Sequence, residues 1–191
     1  MIAISGLSYR FRGSDEDALR AVDLAVEPGE FVVITGPSGC GKSTLALAMG
    51  GHLWRQHDGR GPGSVTVAGL DARTVPLYDL AEIVGLVQQN PEAAFCTLTV
   101  DDELAFGLEN RCLPRAEIVE RVAWALEVVG AGRLAGRDLA TLSGGEKQKV
   151  AVAAILAARP RVLILDEPTS NLDPPATADL FEVIARIRAR A

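Results

Sequence analysis

Gly36-Pro37-Ser38-Gly39-Cys40-Gly41-Lys42-Ser43-Thr44 fits the pattern G-x-x-x-x-G-K-[S/T]. Its glycines let backbone N–H groups curl around phosphate oxygens, and a helix over Ser43–Met49 would add the positive end of its dipole. In that chemistry Lys42 reaches the β- and γ-phosphates and Ser43 ligates Mg²⁺. A second reactive pair, Asp166-Glu167, ends the apolar run Arg161-Val162-Leu163-Ile164-Leu165. Strand ends deliver side chains to the crevice where ligands bind in open α/β sheets. There Asp166 would hold Mg²⁺, commonly through water, and Glu167 would polarise an attacking water as general base. A third stretch, Leu142-Ser143-Gly144-Gly145-Glu146-Lys147-Gln148, opens a helix. Ser143 with Glu146 three residues on is a capping box, and the same helix N-terminus can bind a phosphate.

The elements that must carry these groups alternate between strand and helix patterns. Ile2 to Leu7 and Phe31 to Thr35 read as strands, Ser64 to Ala68 alternates, and Ile83 to Val87 suits a buried strand. Pro28-Gly29 marks a turn, and Asp58-Gly59-Arg60-Gly61-Pro62-Gly63 reads as a flexible loop. From Gln89 to Ala158 the pattern turns helical. Thr99 to Asn110 forms a capped helix with Val100, Leu104 and Leu108 as its stripe. Glu117 to Val129 places Ile118, Val122, Leu126 and Val129 on one face, with Gly130 as its stop. Ser143 starts another helix to about Ala158, and Arg161–Leu165 is a continuous apolar run that predicts a fully buried strand. Pro174-Pro175 opens a last helix with Leu180, Val183, Ile184 and Ile187 inward. Such alternation favours a mostly parallel sheet covered on both faces.

The 191 residues, 48% hydrophobic, suffice for one core. A net charge of −6 argues against a nucleic-acid partner. Three cysteines, one inside the phosphate loop, make no disulfide framework and fit a reducing cytoplasm. No apolar run approaches the roughly 20 residues that span a bilayer, and the first residues lack a signal-peptide pattern. His52, His57, Cys96 and Cys112 show no metal-ligand spacing.

Phosphate loop, Leu-Ser-Gly-Gly segment and acidic strand end stand in an order that resembles the nucleotide-binding domain of ATP-binding cassette (ABC) proteins over nearly the whole chain. The resemblance implies a P-loop α/β core with a mostly parallel sheet, an N-terminal antiparallel β subdomain and an inserted helical subdomain. It divides one domain into residues 1–88 and 159–191 for the core with the β subdomain, and 89–158 for the helical subdomain. It implies ATP as ligand, bound by Gly36, Pro37, Ser38, Gly39, Cys40, Gly41, Lys42, Ser43 and Thr44. Ser143, Gly144 and Gly145 would complete the γ-phosphate pocket of a second, facing domain.

Ser170-Asn171-Leu172-Asp173 resembles the D-loop that couples the two sites, although Asp173 before Pro174 also reads as a helix cap. Leu7-Ser8-Tyr9-Arg10-Phe11 is similar to the segment that offers an aromatic ring to adenine, with Phe11 in that place and Tyr9 toward the core. Gln89 takes the place of the glutamine that touches Mg²⁺ and the attacking water. Gln88 is its rival by spacing, and the phrase Gln89-Asn90-Pro91 favours Gln89. Lys149 stands where relatives often have arginine, keeping the charge without the bidentate geometry.

The implied catalytic set is Glu167, Gln89 and Lys42, and the implied Mg²⁺ set is Ser43, Gln89 and Asp166. The acidic stretch Thr99–Asn110 looks nearest to ATPases of energy-coupling-factor importers for vitamins and transition metals. The expectation is an ATP-hydrolysing subunit or half of a fused pair. It would work head to tail with a second cassette, beside an integral membrane subunit, at the cytoplasmic face of the membrane. ABC domains continue into a further strand and a switch histidine, so the expectation for this sequence is a fragment; His52 and His57 lie too early to serve. Two alternatives stand beside this: a binding module without turnover, and a soluble ABC ATPase acting on DNA or the ribosome.

Overall fold

A computed structural model of the chain describes residues 1–170 and 172–190. It divides into two compact units, Met1–Val84 and Gly85–Ala191.

The first unit is built on an antiparallel sheet. Strands β1 (Ile2–Phe11) and β2 (Leu19–Val26) pair with Ile2 opposite Val26, Ile4 opposite Leu24 and Tyr9 opposite Leu19. The register shifts on either side of Leu7. Two positive-φ residues, Gly6 and Ala21, lie in the irregular stretch. The Asp23 carboxylate accepts from the Gly6 N–H at 2.7 Å and the Ser8 hydroxyl oxygen accepts from the Ala21 N–H at 2.8 Å. Those side chains satisfy donors that the interrupted ladder leaves over.

Helices α1 (Lys42–Met49) and α2 (Leu53–Gln56) follow, then β3 (Gly59–Arg60), β4 (Ser64–Val67), β5 (Leu70–Asp71) and α3 (Leu77–Ala81). The sheet order is β2-β1-β4-β5, with β3 also on β1. Alternation puts Ile2 and Ile4 of β1 and Val65 and Val67 of β4 in the core, and the irregularity at Gly6 shifts the parity so that Leu7 and Tyr9 also point inward. Leu45, Ala46, Ala48 and Met49 of α1 are buried as well, and α1 packs on β4.

Two expectations change here. Asp58–Gly63 is not a loose loop: Arg60 and Gly59 pair with Arg10 and Phe11, and Pro62 O accepts from Ser8 N at 3.0 Å. Its glycines are what allow so close an approach, since a Cβ on Gly59 would lie 2.5 Å from the Tyr9 ring. Phe31–Thr35 forms no strand. Phe31, Val32, Val33 and Ile34 are 52%, 42%, 68% and 43% exposed. β-propensity expresses fit to a covered, pleated surface, and an apolar run that is not covered does not become a strand by composition alone.

β6 (Val84–Val87) starts at the boundary, and the second unit goes on through α4 (Val100–Glu109), α5 (Arg115–Val128), α6 (Gly144–Ala157), β7 (Val162–Leu165) and α7 (Pro174–Arg190). β6 and β7 pair, with Asp166 N donating to Val87 O at 2.9 Å. The expected stripes are inward: Val100, Leu104 and Leu108 of α4, Val122 and Leu126 of α5, and Leu180 and Val183 of α7 share one apolar core with α6. Thr99 caps α4 by accepting from Asp102 N. Gly130 ends the α5 segment at φ 65°.

β7 differs from its expected full burial. Only Ile164 is buried in it, and its described partner is the single strand β6. The chain mixes α and β, with an antiparallel sheet in the first unit and β6–β7 as a second sheet, an α/β fold of the kind the resemblance implies.

Gly85 sits where β6 meets α6. A Cβ there would collide with Ile155 Cγ2 and lie 3.0 Å from Pro160 Cγ. Gly85→Ala is therefore expected to destabilise the protein by about 1–3 kcal/mol through overpacking. That outweighs the ~0.4–1 kcal/mol alanine gains by stiffening the unfolded chain. Thermal unfolding followed by circular dichroism checks it; an unchanged midpoint would mean the strand and helix are not so close.

Candidate active site

The phosphate loop runs through exposed backbone into α1. Gly39 and Gly41 have φ of 78° and 98°, conformations that glycine adopts without penalty. Gly41 is the N-cap of α1 and accepts from Leu45 N at 2.9 Å. No side-chain hydrogen bond caps this helix. Lys42 lies back over the loop, its Nζ donating to the Gly36 and Pro37 carbonyls, each at 3.1 Å. Cys40 is exposed, and its N–H donates to Pro37 O at 3.3 Å.

Gly41 also joins the loop to the sheet. A Cβ at that position would strike the Ala18 carbonyl and come within 3.0 Å of Leu19 Cδ2. Ala18 N donates to Tyr9 O at 2.8 Å and Leu19 pairs with Tyr9. Phe11, two residues along the same strand, is thus roughly 7 Å further along β1. Its ring borders a cavity of about 450 Å³ that Arg12, Asp58, Gly59 and Arg60 also line. As expected, Tyr9 is wholly buried and Phe11 is not.

In the second unit Gln89 Nε2 donates to Glu167 Oε2 at 3.1 Å. The two groups assigned to the attacking water are therefore in contact, 78 residues apart in sequence. The contact is made by Gln89, the residue that the Gln-Asn-Pro phrase favours over Gln88. Glu167 has φ 45°, in the left-handed region that costs a non-glycine residue ~1–2 kcal/mol. Asp166 and Glu167 are both half-buried at the end of β7.

Ser143 is the N-cap of α6 and the capping box is complete. Glu146 Oε2 accepts from Ser143 N at 3.0 Å and lies 3.1 Å from its hydroxyl, while Ser143 Oγ accepts from Glu146 N at 3.4 Å. The Ser143 N–H holds the Glu146 carboxyl below its ordinary range, helped by the Ser143 hydroxyl, Arg133 and Arg137; burial acts the other way. Arg133 and Arg137 stand 3.0 and 3.6 Å from Glu146. Ser143 and Gly144 are exposed, and Gly145 abuts α7, where an added Cβ would lie 2.9 Å from Ala176 Cβ.

Asp173 caps α7 by accepting from Ala176 N at 2.8 Å. Asn171 of the same phrase lies outside the described residues. Lys149 donates to Asp179 of α7 at 2.8 Å, a single point contact of the kind lysine makes.

One pair in this unit was not singled out from the sequence. Glu92, just past Gln89, meets Lys147 of α6 at 2.8 Å, and the Lys147 side chain is only 17% exposed. This ties the glutamine segment to the helix that Ser143 opens. Their spacing of 55 residues carries no local signal.

The model of the ABC transporter family matches residues 19–170. The chain belongs to the ABC transporter family. A Streptomyces coelicolor protein described as an ABC transporter ATP-binding protein is 45% identical over 187 residues, covering 98% of this chain and 33% of the relative. A Methanosarcina acetivorans protein of the same description is 41% identical, again over 98% of this chain and 29% of its own length. The chain thus spans about a third of the length of the curated relatives it matches.

Among solved structures, CbiO1 from Clostridium perfringens, part of the ABC transporter complex CbiONQ, matches with a TM-score of 0.86 at 30% identity. That match covers 99% of this chain and 74% of CbiO1. A dimeric ATP-binding cassette in a post-hydrolysis state, bound to ADP and Pi, matches at 0.83 and 25% identity, over 100% and 84% of the two chains. Among the described residues no helix of this ABC family member is long and apolar enough to cross a membrane.

The Glu146 cap gives a pH test. Its folded-state pKa is lowered, so its contribution to stability is complete above the ordinary glutamate value of about 4.3 and is lost as pH falls through the lower folded value. Thermal melts of the parent and Glu146→Gln should differ by a constant amount near neutrality and converge below about pH 4. A difference that grows on acidification would contradict the cap.

Proposed function

We propose that this chain is the ATP-binding and ATP-hydrolysing domain of an ABC transporter, of the energy-coupling-factor type that imports a vitamin or a metal ion. The observation that supports the catalytic part is the Gln89–Glu167 hydrogen bond, which brings into contact the amide and the carboxylate that this reading takes as water-positioner and base. The importer reading is supported by the Gln89-Asn90-Pro91 phrase, the acidic first turn of α4 and the likeness to CbiO1. Pairing with a second cassette is supported by the dimeric form of the cassettes it resembles. A membrane subunit, and with it a position at the cytoplasmic membrane face, is supported by CbiO1's place in a transporter complex.

In this reading the loop Gly36–Thr44 holds the triphosphate through backbone N–H groups and the start of α1, while Lys42 exchanges its loop carbonyls for β- and γ-phosphate oxygens. Glu167 takes a proton from the attacking water, and Gln89 orients that water. Ser143, with the N–H groups of Gly144 and Gly145, faces the γ-phosphate held by the partner domain, and Asp173 couples the two sites. Catalysis is then mostly positioning and charge stabilisation.

In this reading Mg²⁺ would be held by hard oxygen donors, namely the Ser43 hydroxyl, the Asp166 carboxylate and the Gln89 amide oxygen, the set the resemblance implies. Gln89 directs its nitrogen at Glu167, so its oxygen remains the donor, and the set suits an ion that takes few protein ligands beside phosphates. Mg²⁺ would supply charge neutralisation between the β- and γ-phosphates.

Glu167→Gln in the full-length protein should keep ATP affinity and lower turnover by about 10²–10⁴-fold, because shape is preserved and the base removed. Single-turnover phosphate release with parallel ATP binding measures both; a wild-type rate would place the base elsewhere.

Ser143→Arg should leave ATP binding by the monomer nearly intact while abolishing ATP-driven dimerisation and hydrolysis. Light scattering with and without ATP, beside a phosphate-release assay, reads both effects. Normal hydrolysis by this variant would sink the shared site.

A further inference from the structure

A strand-end aromatic is a poor platform if its ring is free to turn. Phe11 closes β1 and is followed by the exposed turn Arg12–Ser14, so its backbone alone does not fix the plane of the ring. Two other rings do. Tyr9 meets Phe11 edge-on, with centroids 5.1 Å apart and planes at 84°, and His57 does the same at 5.5 Å and 89°. The contacts come from different segments, so rotation of Phe11 about its side-chain bonds would give up both.

The two supporting rings are themselves joined. The Tyr9 hydroxyl donates to the His57 carbonyl at 3.2 Å. Burial, and secondarily the Asp58 carboxylate, push the Tyr9 phenol above its ordinary value, which keeps it a donor. The backbone closes the triangle: Phe11 pairs with Gly59, and Arg12 N donates to Asp58 O at 2.8 Å. Only glycine at 59 leaves room for the Tyr9 ring beneath the pairing. The Arg12–Asp58 ion pair at 2.7 Å is 81% and 72% exposed and contributes little. The rings and the short β3 ladder therefore hold the segment.

We infer that His57, backed by Tyr9, is a positioning residue for Phe11, fixing that ring as a platform for the purine base of the bound nucleotide. The inference rests on the ATP-binding reading above and adds to it a residue that touches neither phosphate nor metal. Its chemistry predicts selectivity for part of the ligand. A group that orients the base platform affects ligands carrying a base and leaves the phosphate contacts alone.

The experiment compares equilibrium binding of Mg-ATP and of Mg-tripolyphosphate, which has no base, to the full-length protein. The variants are His57→Ala, His57→Phe, Phe11→Ala and Lys42→Ala, each checked for folding by its thermal melt. His57→Ala should weaken ATP binding by about twofold to tenfold, the range of an aromatic pair. It should leave tripolyphosphate binding unchanged, and His57→Phe should restore ATP binding by returning an aromatic edge. In steady-state hydrolysis His57→Ala should raise KM with kcat at its parental value.

Equal losses for both ligands would assign His57 to general loop structure and overturn the inference, as would an ATP affinity that falls in Phe11→Ala but not in His57→Ala. A neutral Phe11→Ala overturns the platform itself. The underlying reading fails separately, if Lys42→Ala loses neither ligand.

Discussion

Gly41 has no side chain, and the space a Cβ would fill is taken by the Ala18 carbonyl and Leu19. That contact decides much of the first unit. It lets the phosphate loop rest on the start of β2, and β2 is laddered to β1 through Tyr9 and Leu19. The loop, the first turn of α1 and the aromatic end of β1 become one piece of backbone. A triphosphate brings several negative charges together, and the donors that meet them must already point inward when it arrives. Positive φ at Gly39 and Gly41 sets the course of the loop, and the packing of Gly41 anchors it to the sheet.

The second unit solves a different problem, that of presenting reactive groups at the ends of elements. β7 releases Asp166 and Glu167 at its end, and Glu167 turns into the left-handed region there. Strain of that kind persists only where neighbours over-determine it, and Gln89 holds the Glu167 carboxylate from β6's side of the pair. At the start of α6 the capping box satisfies the helix's own donors and leaves Ser143 and Gly144 exposed. One serine thus serves its own helix by an interaction worth about 1 kcal/mol while remaining exposed at the helix start. The Glu92–Lys147 pair joins the glutamine segment to α6.

Reading the sequence succeeded where the cause was local. The stripes of α4, α5 and α7, the Thr99 and Ser143 caps, the Asp173 cap before Pro174 and the Gly130 stop all depend on residues within one or two turns of each other. It failed where a neighbour distant in sequence decides. Phe31–Thr35 has strand composition and no strand, because coverage makes an apolar run a strand. Asp58–Gly63 has loop composition and a ladder, because β1 lies alongside it and its glycines admit the approach. β7 is less buried than its run of aliphatic residues implies, since burial depends on how many strands flank it.

By itself, then, the sequence determined the chemistry on offer: glycines and a lysine for phosphate, a carboxylate pair at a strand end, a serine at a helix start. Residue type and short spacing suffice for that, because backbone donors, helix dipoles and caps act over a single turn. Only the tertiary structure decided which groups meet. Gln89 on Glu167, Lys147 on Glu92, Gly41 on Ala18, and His57 with Tyr9 on Phe11 all join residues brought together by packing. Side-chain directions over such separations follow from where whole strands and helices come to rest, and no local propensity carries that information.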